Sequence, residues 1–455
     1  MRDWSAEQLA GAAGARLVAP APAAEEAAPD GAARGGATPR ERAPGPARVT
    51  IDSRDAGPGD LFVGLPGTRT DGGRYAAQAL VQGAWGVLVS DENVHALTAR
   101  GASPGVLIAS AEPLGALQRL ARSWRRELGA QVVGITGSTG KTSTKDLLAA
   151  MLAQQRSVVA SAQNLNTEIG LPLTILGAPA GTQVLVLEMA MRGAGQIAEL
   201  AAIAEPDVGV IVNVGPVHLE LLGSLQAVAA AKAELIAGLR PGATAVLPAS
   251  EPLLDAHLRE ALEIVTFGPG GDVAQLDDLE LPFSSAHMRL NALAALAAAR
   301  ALGAEPSGQL EVTLSALRGQ RIELPGQILV INDCYNANPM SMRAALDDLA
   351  VSASGRKVAV LGDMLELGRE QGRYHEQIAE HAREAGVDVL VAVGPLAARM
   401  GDRFVGELHR VEDAAAAAEL TRELLRPGDT VVIKASRGVG LEVVAEHLLA
   451  ATVAE

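Results

Sequence analysis

Cysteine, lysine, aromatic residues and long apolar runs are all scarce in this 455-residue chain. The single cysteine, Cys334, leaves no room for a disulfide framework and fits a reducing cytoplasm. No apolar run reaches the roughly 18 residues that a membrane helix needs. The opening MRDWSAEQLAGAAG lacks the basic-then-apolar layout of a signal peptide. A cytoplasmic protein without membrane insertion is expected. Positive charge is short too: 38 Lys and Arg against 53 Asp and Glu leave a net charge of −15. That excess argues against nucleic acid as a partner, because binding a phosphate backbone needs a basic surface. With only three Trp, three Tyr and four Phe, and a strong Ala/Arg/Gly bias, Ala-rich helices are expected to carry little functional information. Residues 19–47 are low-complexity and poor in apolar bulk, and read as a flexible surface insertion.

Hydrophobic residues make up 48% of the chain, ample for several cores, and the length suggests about three domains. From Val49 the pattern is strand, turn, strand (RVTIDSR, AGPGD, LFVGLPG), then a helix-like stretch over 75–83, a strand over 86–89 and a helix over 114–128. From Gln131, apolar strands at VVGIT, VLVLEM (184–189) and VGVIVNV (208–214) alternate with helices at 144–154 and 225–239. From Arg321, strands ILVIND, KVAVLGD, VLVAVG and TVVIKAS are each followed by helical sequence. Near-continuous apolar strands separated by helices mean parallel sheets covered on both faces. The expected fold is α/β in three domains: a small N-terminal one over 1–127, a central P-loop sheet over 128–318 and a Rossmann-like one over 319–455. No internal repeat is evident. Ligands of such sheets bind at strand C-terminal ends.

Residues Val132–Thr144 read VVGITGSTGKTST, an apolar run breaking into a Gly-rich turn that ends in Gly-Lys-Thr. A buried strand, such a turn and a helix offer backbone N–H groups and a helix N-terminus to a phosphate. Lys141 would reach the terminal phosphates and Thr142 would hold magnesium. The spacing is not a full Walker A, because the first Gly of GxxxxGK[ST] falls on Ile135; the glycines are Gly134, Gly137 and Gly140. Lysine occurs only at 141, 145, 232, 357 and 434. Where basic residues are nearly all Arg, a retained Lys suggests a need for an amine.

Further candidates cluster after the strands. Glu188 ends VLVLEM, where a Walker-B-like acid would coordinate magnesium; otherwise it is a strand-end carboxylate in solvent. His218 and Glu220 lie in NVGPVHLE, after the next strand, where a metal or phosphate role competes with a structural one. Lys232 sits in an Ala-rich helix, and a lone helical Lys commonly faces water. A buried one could instead be carbamylated by carbon dioxide into an anion able to ligate magnesium. His287 and Asn291, four apart, share a helix face, and Asn can both donate to and accept from an adenine edge. Residues 332–339, NDCYNANP, form a polar cluster after an apolar strand, readable as a ligand site or as a turn rich in Asn-Pro signals.

Together these motifs resemble the Mur ligases, the ATP-dependent amide-forming family of peptidoglycan precursor synthesis, from about Thr50 to the C-terminus. GITGSTGKTST and NVGPVHLE with AKAEL are the general marks. NLNTEIGLPLTIL (164–176), YNANPMSM (335–342) and LGDMLELG (361–368) are similar to the branch that adds D-alanyl-D-alanine to UDP-MurNAc-tripeptide through an acyl phosphate. The Asn-Pro-Arg motif of ligases that add the third residue is absent. The resemblance implies ATP and magnesium as cofactors, and a monomer. It assigns Gly137, Ser138, Thr139, Gly140, Lys141 and Thr142 to ATP phosphates, and Asn291, Arg321 and Asp333 to further nucleotide contacts. Thr142, Glu188, His218 and carbamylated Lys232 would surround magnesium, with Lys141, His218 and Lys232 as catalytic groups. Ser53, Arg54, Asn164, Asn166, Thr167, Glu168, Asn336 and Asn338 would hold the substrates. It also implies a third domain that rotates onto the central one when ATP binds. A sister ligase, folylpolyglutamate-like or third-residue-adding, and a non-catalytic nucleotide-binding subunit are the alternatives. Four departures stand out: Met288 where an Asn is usual, Asn332 for the first acid of an Asp-Asp pair, Gly73 for a His, and a short segment over 267–281.

Overall fold

A computed structural model describes all residues except 2, 19–44, 100–104, 163, 284 and 454–455. The expected flexible insertion over 19–47 therefore lies outside the described residues for all but its last three positions. The chain packs into two compact units, one holding Met1–Val132, Ser157–Leu187 and Ala202–Glu205, the other the rest.

In the first unit a five-stranded sheet runs Arg16–Val18, Val106–Ala109, Gly86–Val89, Asp60–Val63, Arg48–Thr50 from edge to edge. Arg16–Val18 is antiparallel to its neighbour and the others are parallel. The expected strand RVTIDSR stops at Thr50, because the Asp52 carboxylate turns back to receive the Arg54 backbone N–H and guanidinium. Helix Pro113–Leu128 starts with Pro in its first turn and ends at Gly129 in the left-handed region. It buries Ala116, Leu117, Leu120, Ala121 and Trp124, a single face at helical spacing. Trp4 meets Trp124 edge-to-face with centroids 5.6 Å apart.

The second unit contains strand Gln131–Thr136 from Val133 onward and, parallel to it, strands Val208–Ile211, Thr244–Pro248 and Glu263–Phe267, each beside the next. Thr136 and Ile211 are partners in register, so the loops that follow the two strands start side by side. The following helix begins at Lys141, three residues before the sequence suggested. Its neighbour Ala286–Ala301 is apolar on nearly every side and buried from Ala292 to Ala299. Small side chains let it approach closely, so here an Ala-rich helix does carry information. Over 267–281 the chain makes a turn and the short strand Leu279–Glu280, paired with Gly308–Gln309.

The same unit holds a six-stranded sheet in the order Gln320–Leu324, Ile328–Asn332, Thr430–Lys434, Lys357–Gly362, Val389–Val393, Glu407–Val411. Only Gln320–Leu324 is antiparallel. It joins its neighbour through a turn in which Gly326 and Gln327 both have positive φ (75° and 60°), the geometry of a tight hairpin. Because the remaining strands are parallel, segments 333–338, 363–368 and 435–437 emerge at one edge.

Candidate active site

The Gly-rich turn is fastened to the loop that starts beside it. The Asn213 side-chain oxygen accepts from the Ser138 N–H (3.1 Å) and the Thr139 N–H (3.0 Å), while its amide donates to the Thr139 carbonyl. The Ser138 hydroxyl donates to the Gly215 carbonyl and accepts from its N–H. Gly140 has φ +78°, and a Cβ there would lie 2.4 Å from the Asn291 Oδ1. Glycine is thus needed twice, for conformation and for space. Asn291 is buried against this turn, its amide toward the Met288 sulfur at 3.8 Å. Met288, the departure beside Asn291, offers only a weak acceptor.

Lys141 Nζ donates to the Gly137 carbonyl across the turn (2.9 Å). Burial lowers its pKa, the Arg318 charge adds to this, and the Glu188 carboxylate opposes it. The Thr142 hydroxyl donates to Glu188 Oε2 at 2.8 Å, with both side chains buried. Among the described residues no three His, Cys, Asp or Glu side chains form a ready metal cluster. Magnesium needs less: it commonly takes one or two protein oxygens and completes its shell with phosphate and water. Thr142 and Glu188 fit that requirement.

Lys232 is 1% exposed and has no hydrogen-bond or ion-pair partner among the described residues. Burial, then the Lys141 charge, hold its amine well below the usual lysine range. A neutral amine is the form that reacts with carbon dioxide. His218 adopts the left-handed region (φ 52°), and its Nδ1 lies 2.5 Å from Glu366 Oε2. Burial lowers the His218 pKa; Glu366 opposes this, and the charges of Lys141 and Lys232 reinforce it. Lys141, His218 and Lys232 therefore sit within each other's fields.

Next to the turn is a cavity of about 530 Å³. Thr139, Gly140 and Asn291 line one part, and Phe267, Met288 and Leu290 give it an apolar wall. Arg321, Asp333 and Lys434 line it from the C-terminal sheet. Asp333 pairs with buried Lys434 at 2.5 Å, and Lys434 also donates to the Asn336 carbonyl at 3.0 Å. Arg321 faces Asp348 and Ser352. It is Arg318, three residues earlier, that reaches the Thr142 hydroxyl (3.2 Å), stacked over Tyr335 at 3.9 Å. Asn332 is buried with its Oδ1 unpartnered. An amide there avoids placing a buried carboxylate next to half-buried Asp333.

Asn338 caps helix Pro339–Ser352: its Oδ1 accepts from the Ser341 N–H, so this oxygen is committed locally while the amide donors remain. Asn336 is exposed. Cys334 is buried with its thiol pKa pushed up, which removes it as a nucleophile. Ser53, Arg54, Asn164, Asn166, Thr167 and Glu168 all belong to the first unit. Ser53 is buried, Arg54 pairs with Asp52, the Thr167 hydroxyl accepts from the Gly170 N–H, and the Glu168 carbonyl accepts from Gln118. At Gly73, a Cβ would lie 2.3 Å from the Asn93 amide, so Asn93 occupies the space a larger residue would claim.

Sequence reasoning missed Asn213, Arg318, Glu366 and Lys434. Asn213 and Glu366 lie inside the quoted motifs NVGPVHLE and LGDMLELG, and Lys434 is among the five lysines. Arg318 carried no signal in an Arg-rich chain. Lysine rarity alone also pointed to Lys145, which forms a buried ion pair with Asp146 at 2.6 Å.

Three family models match in succession: the Mur ligase family catalytic domain over residues 47–122, the Mur ligase middle domain over 135–299 and the Mur ligase glutamate ligase domain over 317–437. The UDP-N-acetylmuramoyl-tripeptide--D-alanyl-D-alanine ligase of Synechocystis sp. is 37% identical, covering 88% of this chain and 92% of its own. Among solved structures, MurF from Acinetobacter baumannii superposes with a TM-score of 0.83 at 27% identity, covering 98% of this chain and 99% of its own. MurF ligase from Thermotoga maritima, in complex with ADP, gives 0.77 at 30% identity, over 88% and 96%.

Proposed function

The chain belongs to the Mur ligase family, and on that footing we propose that it joins D-alanyl-D-alanine to UDP-MurNAc-tripeptide in peptidoglycan precursor synthesis, with release of ADP and phosphate. One observation carries the reading: the Gly-rich turn, whose Thr139 and Gly140 line a nucleotide-sized cavity, leads directly into Lys141 and the Thr142–Glu188 pair, and the Lys141 charge reaches both His218 and buried Lys232. We read three domains along the chain, over 1–127, 128–318 and 319–455, a division supported by the three successive family matches. The enzyme works as a cytoplasmic monomer and does not bind nucleic acid.

The tripeptide's terminal carboxylate attacks the γ-phosphate of ATP; the new O–P bond forms as the bond to the ADP oxygen breaks. Two anions must approach each other, so Lys141 and Arg318 lower the barrier by neutralising the phosphates. The turn 137–140 presents its N–H groups to the phosphates, and Asn213 keeps them aligned. Asn291 contacts the base, and Asp333 and Arg321 contact the nucleotide from the third domain. Thr142, Glu188, His218 and carbamylated Lys232 would hold magnesium, which when bound supplies positive charge that screens the phosphates. The neutral amine of D-alanyl-D-alanine then attacks the acyl carbon, and the tetrahedral intermediate collapses to an amide as the acyl C–O bond breaks, phosphate leaves and the nitrogen gives up a proton. Ser53 and Arg54 hold the UDP end, Asn164, Asn166, Thr167 and Glu168 the peptide side, and Asn336 and Asn338 lie by the reacting groups.

Phosphate release is expected only when ATP, UDP-MurNAc-tripeptide and D-alanyl-D-alanine are all present. Turnover without the dipeptide would refute this substrate assignment in favour of a sister ligase. No turnover with any combination would favour a non-catalytic subunit.

A further inference from the structure

His218 has two ring nitrogens, and the structure shows what holds one of them. Nδ1 is 2.5 Å from Glu366 Oε2, and a carboxylate can only accept, so Nδ1–H donates and the Nε2 lone pair is left free. That is the tautomer a metal-binding imidazole requires, and a partner on the far nitrogen is how such rings are fixed. Glu366 lies not in the central domain but in the loop after strand Lys357–Gly362 of the C-terminal sheet.

That loop is bolted down on its own side. The Met364 N–H donates to Nε2 of fully buried His375, whose Nδ1 faces the Gln371 carbonyl. The Leu365 N–H donates to the Ser436 hydroxyl, and Asp363 accepts from the Leu396 and Ala397 N–H groups. Across the seam, the Glu220 N–H donates to the Glu366 carbonyl at 3.2 Å. Six non-glycine residues have positive φ among the described residues, and His218 (52°) and Glu366 (62°) are two of them. Both partners of one contact are thus held in a sparsely populated conformation, which persists only where surrounding structure enforces it.

We propose that Glu366 is a positioning residue: it supplies the outer partner of His218 from the C-terminal domain, so that the metal site is complete only when that domain is docked. The proposal rests on the reading of His218 as a metal ligand. Glu366 is 43% exposed on its side chain, so its work is orientation rather than burial of charge.

Mn²⁺ titration of the full chain holding a non-hydrolysable ATP analogue, read by electron paramagnetic resonance, tests this in Glu366→Ala, Glu366→Gln and His218→Ala. The dissociation constant should rise about tenfold in Glu366→Ala. The rise should be smaller in Glu366→Gln, whose amide oxygen still accepts from Nδ1–H and which guards against a folding defect. In turnover, the apparent KM for Mg²⁺ should rise by a similar factor while kcat at saturating Mg²⁺ stays within about twofold of wild type. A purely structural role would lower kcat at every Mg²⁺ concentration, and that outcome overturns the proposal. Wild-type affinity in Glu366→Ala beside a loss in His218→Ala overturns it alone. Wild-type affinity in both removes His218 from the metal site, and the reading beneath the proposal fails with it.

Discussion

Lys232, proposed as a catalytic group, is costly to the fold. Its side chain is buried near another lysine, with no hydrogen-bond or ion-pair partner among the described residues. An unfolded lysine titrates near about 10.4, and folding depresses that value. The unfolded chain therefore holds the proton more tightly, and stability rises as pH climbs from the folded pKa toward the unfolded one. Lys232→Met, similar in volume and without charge, should lose this pH dependence while activity falls by about a hundredfold to a thousandfold. Urea midpoints at pH 7 and pH 10 in carbon-dioxide-free buffer check it: wild type should gain more on going to pH 10 than the variant. Parallel trends would mean that Lys232 is not buried as a neutral amine. The sequence signalled Lys232 by rarity and family motif, but its burial depends on packing from elsewhere in the chain.

Between elements, the Gly-rich turn meets helix Ala286–Ala301 with no room for a side chain at Gly140. Gly140→Ala should destabilise by about 1–2 kcal/mol through its positive φ alone, with a further cost because the new methyl would lie 2.4 Å from Asn291 Oδ1. Adding Asn291→Ala removes the second cost and leaves the first, so the double variant should recover part of the loss. Thermal unfolding of the two single variants and the double measures this coupling; strict additivity would mean that the two residues do not touch. The strand, the turn and the helix were each legible from residues 132–144. That Asn291, some 150 positions later, closes over Gly140 was not, because helical spacing tells which residues share a face and not what that face meets.

At the scale of the molecule, the hydrogen bond from the Glu220 N–H to the Glu366 carbonyl joins the central and C-terminal sheets' loops and reports on their docking. If nucleotide draws these domains together, a non-hydrolysable ATP analogue with Mg²⁺ should slow hydrogen exchange at the Glu220 amide by about tenfold or more. The amide of Leu247, inside a central strand, should change little. Equal slowing at both sites would indicate general stabilisation, and no change at Glu220 would argue against closure. Closure of this kind keeps water from an acyl phosphate.

By itself the sequence determined the class of fold and the strand, Gly-rich turn and helix proposed to hold phosphate, because both are written locally. Apolar strands alternating with helices specify buried parallel sheets, and a Gly-rich turn needs only its own residues to offer N–H groups. Edge strands such as Gln320–Leu324 and Glu407–Val411, mixed in polarity and partly exposed, carry too weak a pattern to be read this way. Tertiary structure alone decided the partners: Asn213 for the turn, Arg318 for Thr142, Glu366 for His218 and Lys434 for Asp333. Each joins residues between 74 and 176 positions apart. Such pairings follow from sheet order and from which strand ends share an edge, and neither is fixed by neighbours in the chain.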